Sequence, residues 1–355
     1  IRPRDWSSDV CSSDLPTGPV NRIGALIDGH QDGRIVDLTT AYAEYLRMET
    51  DEPTPDGLAN LRTPPDMIGY LRGGKKSREA AEAAVAYVKK RMAHAAAPAA
   101  GNGAALVFEA KAVRLLAPIP RPPSLRDFSI YARHMTNTGR PYEKRPAWYT
   151  TPPFYKGNCD AVVGDGADVP FPYYTKKLDL EIEIGIIVGK QGRNLTFEQA
   201  REHIAGYTIW IDPSARDGHD REPFGPTKRK DFSTGLGPCI VTADEIDERN
   251  LAAKVTCDWE VWFEGNTNEP RSFYAEHLVA YASDNETLNP GDVIGTGTIG
   301  FGCSMDYHKW PQVGQTMVFE VEGIGRMTHR IVQGEHVVSH TLGMPGLIPL
   351  PAGKA

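Results

Sequence analysis

The chain has 355 residues and a formal net charge of −7. That length supports two domains with full cores, and the acidic balance argues against nucleic acid and gives no reason to invoke an anionic membrane surface. No apolar run approaches bilayer-spanning length, and five scattered cysteines without a CxxC pair read as reduced thiols in a cytoplasm.

Residues 1–15, which include DWSSDVCSSDL, match nothing else in the chain and read as a translated sequencing-library adapter. They are set aside as non-native, Cys11 with them, and are expected to be disordered or loosely packed. Val20–Ile27 and Arg34–Leu38 then read as short strands, with turns at Asp28-Gly29 and Asp32-Gly33. Thr40–Met48 and Ser77–Met92 read as helices, the second with a weakly apolar face of Ala80, Ala83, Ala84, Val88 and Met92. An Ala/Gly-rich connection follows, and the proline-rich run Leu116–Ser124 marks a domain boundary. The division is therefore a small N-terminal domain over 16–116 and a second domain over 117–355. Strands and Gly/Pro turns dominate the second, which predicts an α+β, β-rich chain built on a mixed β-roll or sandwich.

The chemistry concentrates in LDLEIEIGIIVGK. Leu178, Leu180, Ile182 and Ile184 alternate with Asp179, Glu181 and Glu183, so a strand would carry the acids on one face. Read alone, the alternation fits a half-buried strand whose acidic face is solvated. Thr196 and Gln199 have capping-box spacing for a short helix over FEQAREHIAG, and Tyr207–Ile211 reads as the next strand. Asp212 then falls just past that strand. Two carboxylates on one strand and a third beside its neighbour make an all-oxygen site suited to Mg²⁺, Mn²⁺ or Ca²⁺ rather than zinc. Arg216 lies four residues beyond Asp212, and its planar guanidinium suits a carboxylate substrate. Gly295–Gly300 fits GxGxxG by letter, but FGCSMDYHKWP after it lacks caps and helical periodicity, so a dinucleotide site is not expected. His336 and His340 have no completing ligand pair and read as structural.

Glu181-Ile182-Glu183, then Asp212-Pro213-Ser214-Ala215-Arg216-Asp217, Lys230-Asp231-Phe232 with Gly237-Pro238, and Tyr131-Ala132-Arg133-His134 occur in an order that resembles the fumarylacetoacetate hydrolase family. The resemblance runs from about Pro122 to Pro345. Pro213 stands where an aromatic residue is usual. The resemblance implies a catalytic β-sandwich roll with a small N-terminal domain, and a homodimer. It implies a metal, Mg²⁺ or else Ca²⁺ or Mn²⁺, at Glu181, Glu183 and Asp212. His134 would be the base, a role that needs a side chain titrating near neutrality. Asn137 stands where small members place the partner glutamate, which leaves Asp306 as the candidate. Lys230 would add positive charge to an enolate, Arg216 and Tyr155 would hold a terminal carboxylate, and Thr298 would reach the substrate. Some large members use a further metal carboxylate upstream of the histidine. Asp127 is the nearby acid, in a register that does not match well.

The implied activity is metal-dependent hydrolysis of the C–C bond of a 1,3-diketo acid, of the fumarylacetoacetate or acylpyruvate type, in aromatic or amino-acid catabolism. The same enolate chemistry serves decarboxylation of oxaloacetate, isomerisation and hydration. A homologue that only binds a dicarboxylate is the alternative outside enzymes.

Overall fold

In the computed structural model, which describes residues 2–5, 21–27, 33–137, 146–217 and 226–335, the stretch before the proline-rich run builds one sheet, called the first unit below, and the stretch after it, the second unit, builds two. The first unit holds β1 (Arg2–Asp5), β2 (Asn21–Leu26) and β3 (Arg34–Asp37), then α1 (Leu38–Glu49), α2 (Pro55–Arg62), α3 (Met67–Arg72) and α4 (Gly74–Met92). It closes with β4 (Val107–Glu109) and β5 (Arg114–Leu115), and its sheet runs β4-β3-β2-β1-β5. The two expected helices are present. Asp37 caps α1 by accepting from Thr40 N (3.2 Å). The small residues Ala80, Ala81 and Ala84 are buried along α4. Helices α2 and α3 were not expected: at eight and six residues they carry too few turns for a periodic signal.

Arg2–Asp5 pairs with β2 and β5, where loose packing was expected. Strand pairing runs through backbone groups and does not require evolved side chains. The rest of the adapter-like segment, residues 28–32, and His336 and His340 lie outside the described residues.

The second unit begins with β6 (Leu125–Phe128), α5 (Ala132–Asn137), β7 (Phe154–Lys156), β8 (Val162–Val163) and β9 (Val169–Phe171). It continues through β10 (Leu178–Val188), α6 (Phe197–Arg201), β11 (Ile204–Ala215), β12 (Thr234–Thr242), β13 (Ala252–Cys257) and β14 (Glu260–Asn266). It ends with α7 (Ala275–Ala282), β15 (Val293–Gly295), β16 (Thr316–Val321) and β17 (Gly325–Gln333). These strands make a seven-stranded sheet, β7-β6-β15-β10-β11-β12-β8, and a five-stranded sheet, β14-β13-β16-β17-β9. Ile182, Ile184, Ile209 and Ile211 of the larger sheet share a core with Val255, Phe319 and Met327 of the smaller one. The opposite face packs Ile187, Trp210, Leu236 and Val293 against Ile23, Val36 and Val88 of the first unit. The fold is α+β and β-rich, as expected. Among the described residues, no helix is long and apolar enough to cross a membrane.

Strand β10 corrects one reading. It alternates in sequence but not in exposure, because all of its residues are buried. Its acidic face is a site wall, not a solvated surface. A second correction concerns Asp212, which lies within β11 and pairs directly with Glu181. The strand continues through Pro213 because β12 pairs with β11 only as far as Ile211. Beyond that point no described strand pairs with that edge of β11, and proline is tolerated at such an edge.

Candidate active site

The antiparallel register of β10 and β11 sets Glu181 opposite Asp212 and Glu183 opposite Trp210. The acid half of that face is therefore continuous with the Trp210 half that the first unit covers. On the other side of β10, β15 pairs Gly295 with Gly185, and β6 runs parallel to β15 with Asp127 opposite Gly295. A Cβ at Gly295 would stand 2.5 Å from Asp127 Oδ1 and 3.0 Å from Glu183 Oε2. Glycine there lets the two carboxyls meet across the strand.

Ligand oxygens of Asp127, Glu183 and Asp212 all lie within 4.8 Å of one another, and all three residues are buried. Asp127 Oδ1 and Asp212 Oδ1 have no hydrogen-bond partner. Burial, then the nearby Asp212, pushes the Asp127 carboxyl well above the usual range. Burial, then Asp127, does the same to Glu183. Unpaired buried oxygens of this kind cost several kcal/mol, roughly, unless a cation compensates them. The donors are hard and all oxygen, so they fit a divalent ion of the Mg²⁺, Mn²⁺ or Ca²⁺ kind.

Glu181 has a different environment. Its carboxylate is ion-paired with Arg216 Nη2 (2.5 Å) and accepts from Lys230 Nζ (2.6 Å), Thr298 Oγ1 (2.5 Å) and Ser214 Oγ (3.1 Å). Burial works to raise this carboxyl, but Arg216, Lys230 and His134 outweigh it and hold it well below the usual range. Lys230 also donates to Asp212. Burial works to lower the Lys230 ammonium, and the charges of Asp212 and Glu181 raise it instead. Lys230 lies in the basic run TKRKDF, yet it is buried.

Tyr155, on β7 opposite Asp127, donates to Asp212 Oδ2 (2.9 Å). Gly297 N donates to Glu183 Oε2 (3.1 Å), so the glycine-rich loop clamps both strand glutamates through Gly297 and Thr298. No helix follows β15, in keeping with the reading against a dinucleotide fingerprint. His134 is buried on α5. Its Nε2 lies 3.5 Å from Glu181 Oε1, and its Nδ1 lies 3.8 Å from Asp306 Oδ2.

Residues 125–332 match the model for the fumarylacetoacetate (FAA) hydrolase C-terminal domain. The chain belongs to this family. It is 31% identical over 226 residues to the human mitochondrial oxaloacetate tautomerase FAHD2A, covering 62% of this chain and 70% of that protein. The fumarylpyruvate hydrolase of Pseudomonas aeruginosa, solved with Mn²⁺ and pyruvate, superposes with a TM-score of 0.52 at 26% identity, over 62% of this chain and 92% of that one. The fumarylacetoacetate hydrolase of Exiguobacterium antarcticum superposes with a TM-score of 0.65 at 24% identity, over 94% of this chain and 99% of that one.

Within this family member, two acids carry more weight in the structure than in the sequence. Asp127 stands out of register in sequence, yet its side chain faces Glu183. Parallel pairing of β6 with β15 places it there, and spacing to His134 does not show that. In sequence, Asp179 reads only as part of an alternating face. It accepts from Arg216 Nε (2.7 Å) and from Ser304 N (2.6 Å), so it ties the guanidinium to the loop that carries Asp306. Its place in the same alternation as Glu181 and Glu183 was the available signal.

Proposed function

We propose that this chain is a divalent-metal-dependent hydrolase that cleaves the C–C bond of a short 1,3-diketo acid of the acylpyruvate or fumarylacetoacetate type, in aromatic or amino-acid catabolism. The observation that carries this reading is the pair of unpartnered, buried oxygens on Asp127 and Asp212 beside Glu183, flanked by Lys230, Arg216 and His134. Asp127, Glu183 and Asp212, with Glu181 adjoining them, would hold Mg²⁺, Mn²⁺ or Ca²⁺. When bound, such a cation polarises substrate oxygens and opposes the charge of a developing enolate. The Mn²⁺ and pyruvate named for the Pseudomonas enzyme support this ion class and product type.

The remaining work falls to side chains. His134 Nε2 takes a proton from water as the water oxygen bonds to the distal carbonyl carbon. The C–C bond then breaks, and its electron pair stays with the departing 2-oxo acid as an enolate. The imidazolium returns its proton to that carbon. Asp306 faces Nδ1 and opposes the charge that His134 gains. Lys230 sets a positive charge beside the enolate. Arg216 and Tyr155 hold the terminal carboxylate, and Thr298 reaches the substrate. The active form is a homodimer in the cytoplasm; the free thiols of Cys159, Cys239, Cys257 and Cys303 support a reducing setting.

A second reading, tautomerisation of oxaloacetate, is favoured by the names of the relatives near 30% identity. It moves one proton between carbon and oxygen and consumes no water. Absorbance at the enol band over a panel of acylpyruvates, fumarylacetoacetate and enol-oxaloacetate, with Mg²⁺ or Mn²⁺, separates the two. Cleavage of a diketo acid is expected, with Mn²⁺ binding by calorimetry lost in Asp127→Asn and in Asp212→Asn. Intact diketo acids with accelerated enol-oxaloacetate ketonisation would transfer the assignment to the tautomerase. Unchanged Mn²⁺ affinity in both variants would remove the metal site.

A further inference from the structure

On the far side of His134 from the carboxylate cluster, donors of another kind converge. Cys303 Sγ lies 3.8 Å from His134 Nδ1, and Asp306 Oδ2 lies 3.8 Å from the same nitrogen. One donor atom from each of the three residues falls within 4.8 Å of the other two. Both oxygens of Asp306 are buried without a hydrogen-bond partner, and its side chain has no exposure. Around Cys303, the carboxylates of Asp179, Glu181 and Asp306 outnumber the single guanidinium of Arg216.

We propose that His134, Cys303 and Asp306 form a second metal site, selective for a thiophilic cation such as Zn²⁺, and that filling it switches the enzyme off. The proposal rests on the reading of His134 as the base. A tetrahedral zinc with bonds of about 2.3 Å to sulfur and about 2.0 Å to nitrogen sets those two donors about 3.5 Å apart. The observed 3.8 Å separation therefore needs closing by only a few tenths of an ångström. Zinc takes nitrogen and sulfur donors, whereas Mg²⁺ and Ca²⁺ take oxygen, so two adjacent sites would sort their ions by donor chemistry. The Cys303 thiol gives up its proton to solvent as sulfur bonds the ion, and no redox partner is involved.

The inhibitory step follows from the two ring nitrogens. A neutral imidazole bound through Nδ1 carries its proton on Nε2. That nitrogen becomes a donor and cannot take a proton from water. Zinc at this site would disable the base while the carboxylate cluster kept its own cation.

Co²⁺ serves as the optical probe for Zn²⁺, added to full-length protein saturated with Mg²⁺. A thiolate-to-cobalt charge-transfer band is expected, saturating at one equivalent, bleached by Zn²⁺, weakened in Asp306→Asn and absent in Cys303→Ser. In parallel, Zn²⁺ should inhibit turnover at saturating Mg²⁺. The concentration for half-inhibition should rise about tenfold or more in Cys303→Ser, judged against that variant's own uninhibited rate. Absence of the band in the wild type overturns the proposal without any variant, and so does a band that persists unchanged in folded Cys303→Ser. The band reads sulfur ligation and not turnover. A band without diketo-acid cleavage would keep the zinc site and remove the proposed function; cleavage without a band would do the reverse.

Discussion

Glu181 and Glu183 stand two residues apart on one strand, yet their carboxyls move in opposite directions from the usual value. Both are buried, so burial pushes both upward. The difference lies in the neighbours: Arg216, Lys230 and His134 surround Glu181, while Glu183 faces Asp127. The base lies beside this divided pair. His134→Ala is expected to keep Mn²⁺ affinity and to lose turnover by about 10² or more, the scale of a general base. Calorimetry and steady-state rates on one preparation check it, and near wild-type turnover would take the hydrolytic role away from His134. A second histidine bears on the expected acid stability. His329 on β17 is buried, with Nδ1–H donating to Ala167 O (2.8 Å) and Nε2 unpartnered. Burial lowers its pKa from the ordinary 6.5. Below about pH 6.5 the unfolded chain takes up a proton that the folded chain resists, so this residue's effect is to reduce stability as pH falls from there through the folded value. The melting temperature of the wild type is expected to fall on acidification more steeply than that of His329→Gln, each referenced to its own value at neutral pH. Parallel curves would show that other groups set the acid limit.

At the scale of elements, the site depends on how closely β15 lets β6 and β10 approach. Gly295→Ala places a methyl group against Asp127 Oδ1 and Glu183 Oε2, and both carboxyls must turn away. Mn²⁺ affinity is expected to drop about tenfold or more, with a stability loss of about 1–3 kcal/mol from overpacking. Calorimetry and thermal melts measure the two; unchanged affinity would mean the carboxyls do not need that approach. Much of this layer was readable from the chain. The alternation of LDLEIEI identified β10, and the capping box of α6 has both of its bonds, Gln199 N to Thr196 Oγ1 (3.3 Å) and Thr196 N to Gln199 Oε1 (3.0 Å). Both signals are local, reaching three or four residues. What sequence misread was the exposure of the acidic face and the end of β11. Each depends on a neighbour: the sheets and loops that cover β10, and the β12 pairing that stops at Ile211 while β11 runs on.

For the whole molecule, the seven-stranded sheet is covered on one face by the smaller sheet and on the other by the N-terminal unit. On that second face the unit covers the Trp210 end, and the acids occupy the rest. Of residues 1–15, the described part is β1, which flanks β2 and the two-residue β5. On the reading of residues 1–15 as non-native, the segment should be removable with melting temperature and activity unchanged within error, because β2 keeps its pairing with β3. A clear drop in melting temperature on deletion would show that β1 belongs to the fold. The chain's residues and their spacing carry the chemical kind of this protein: hard carboxylates at period two on a strand, a histidine in an aromatic-rich segment, cationic residues at set distances from the acids. Residue type and short spacing suffice for that, because they are properties of the chain. Tertiary structure decided which of those groups work together. It brought in Asp127 through a parallel pairing, turned Glu181 toward Arg216 and Lys230, and set Cys303 and Asp306 against His134. Strand register and burial are relations between distant segments, and they, more than the residues' own identities, set the distances and the dielectric on which charge and metal affinity depend.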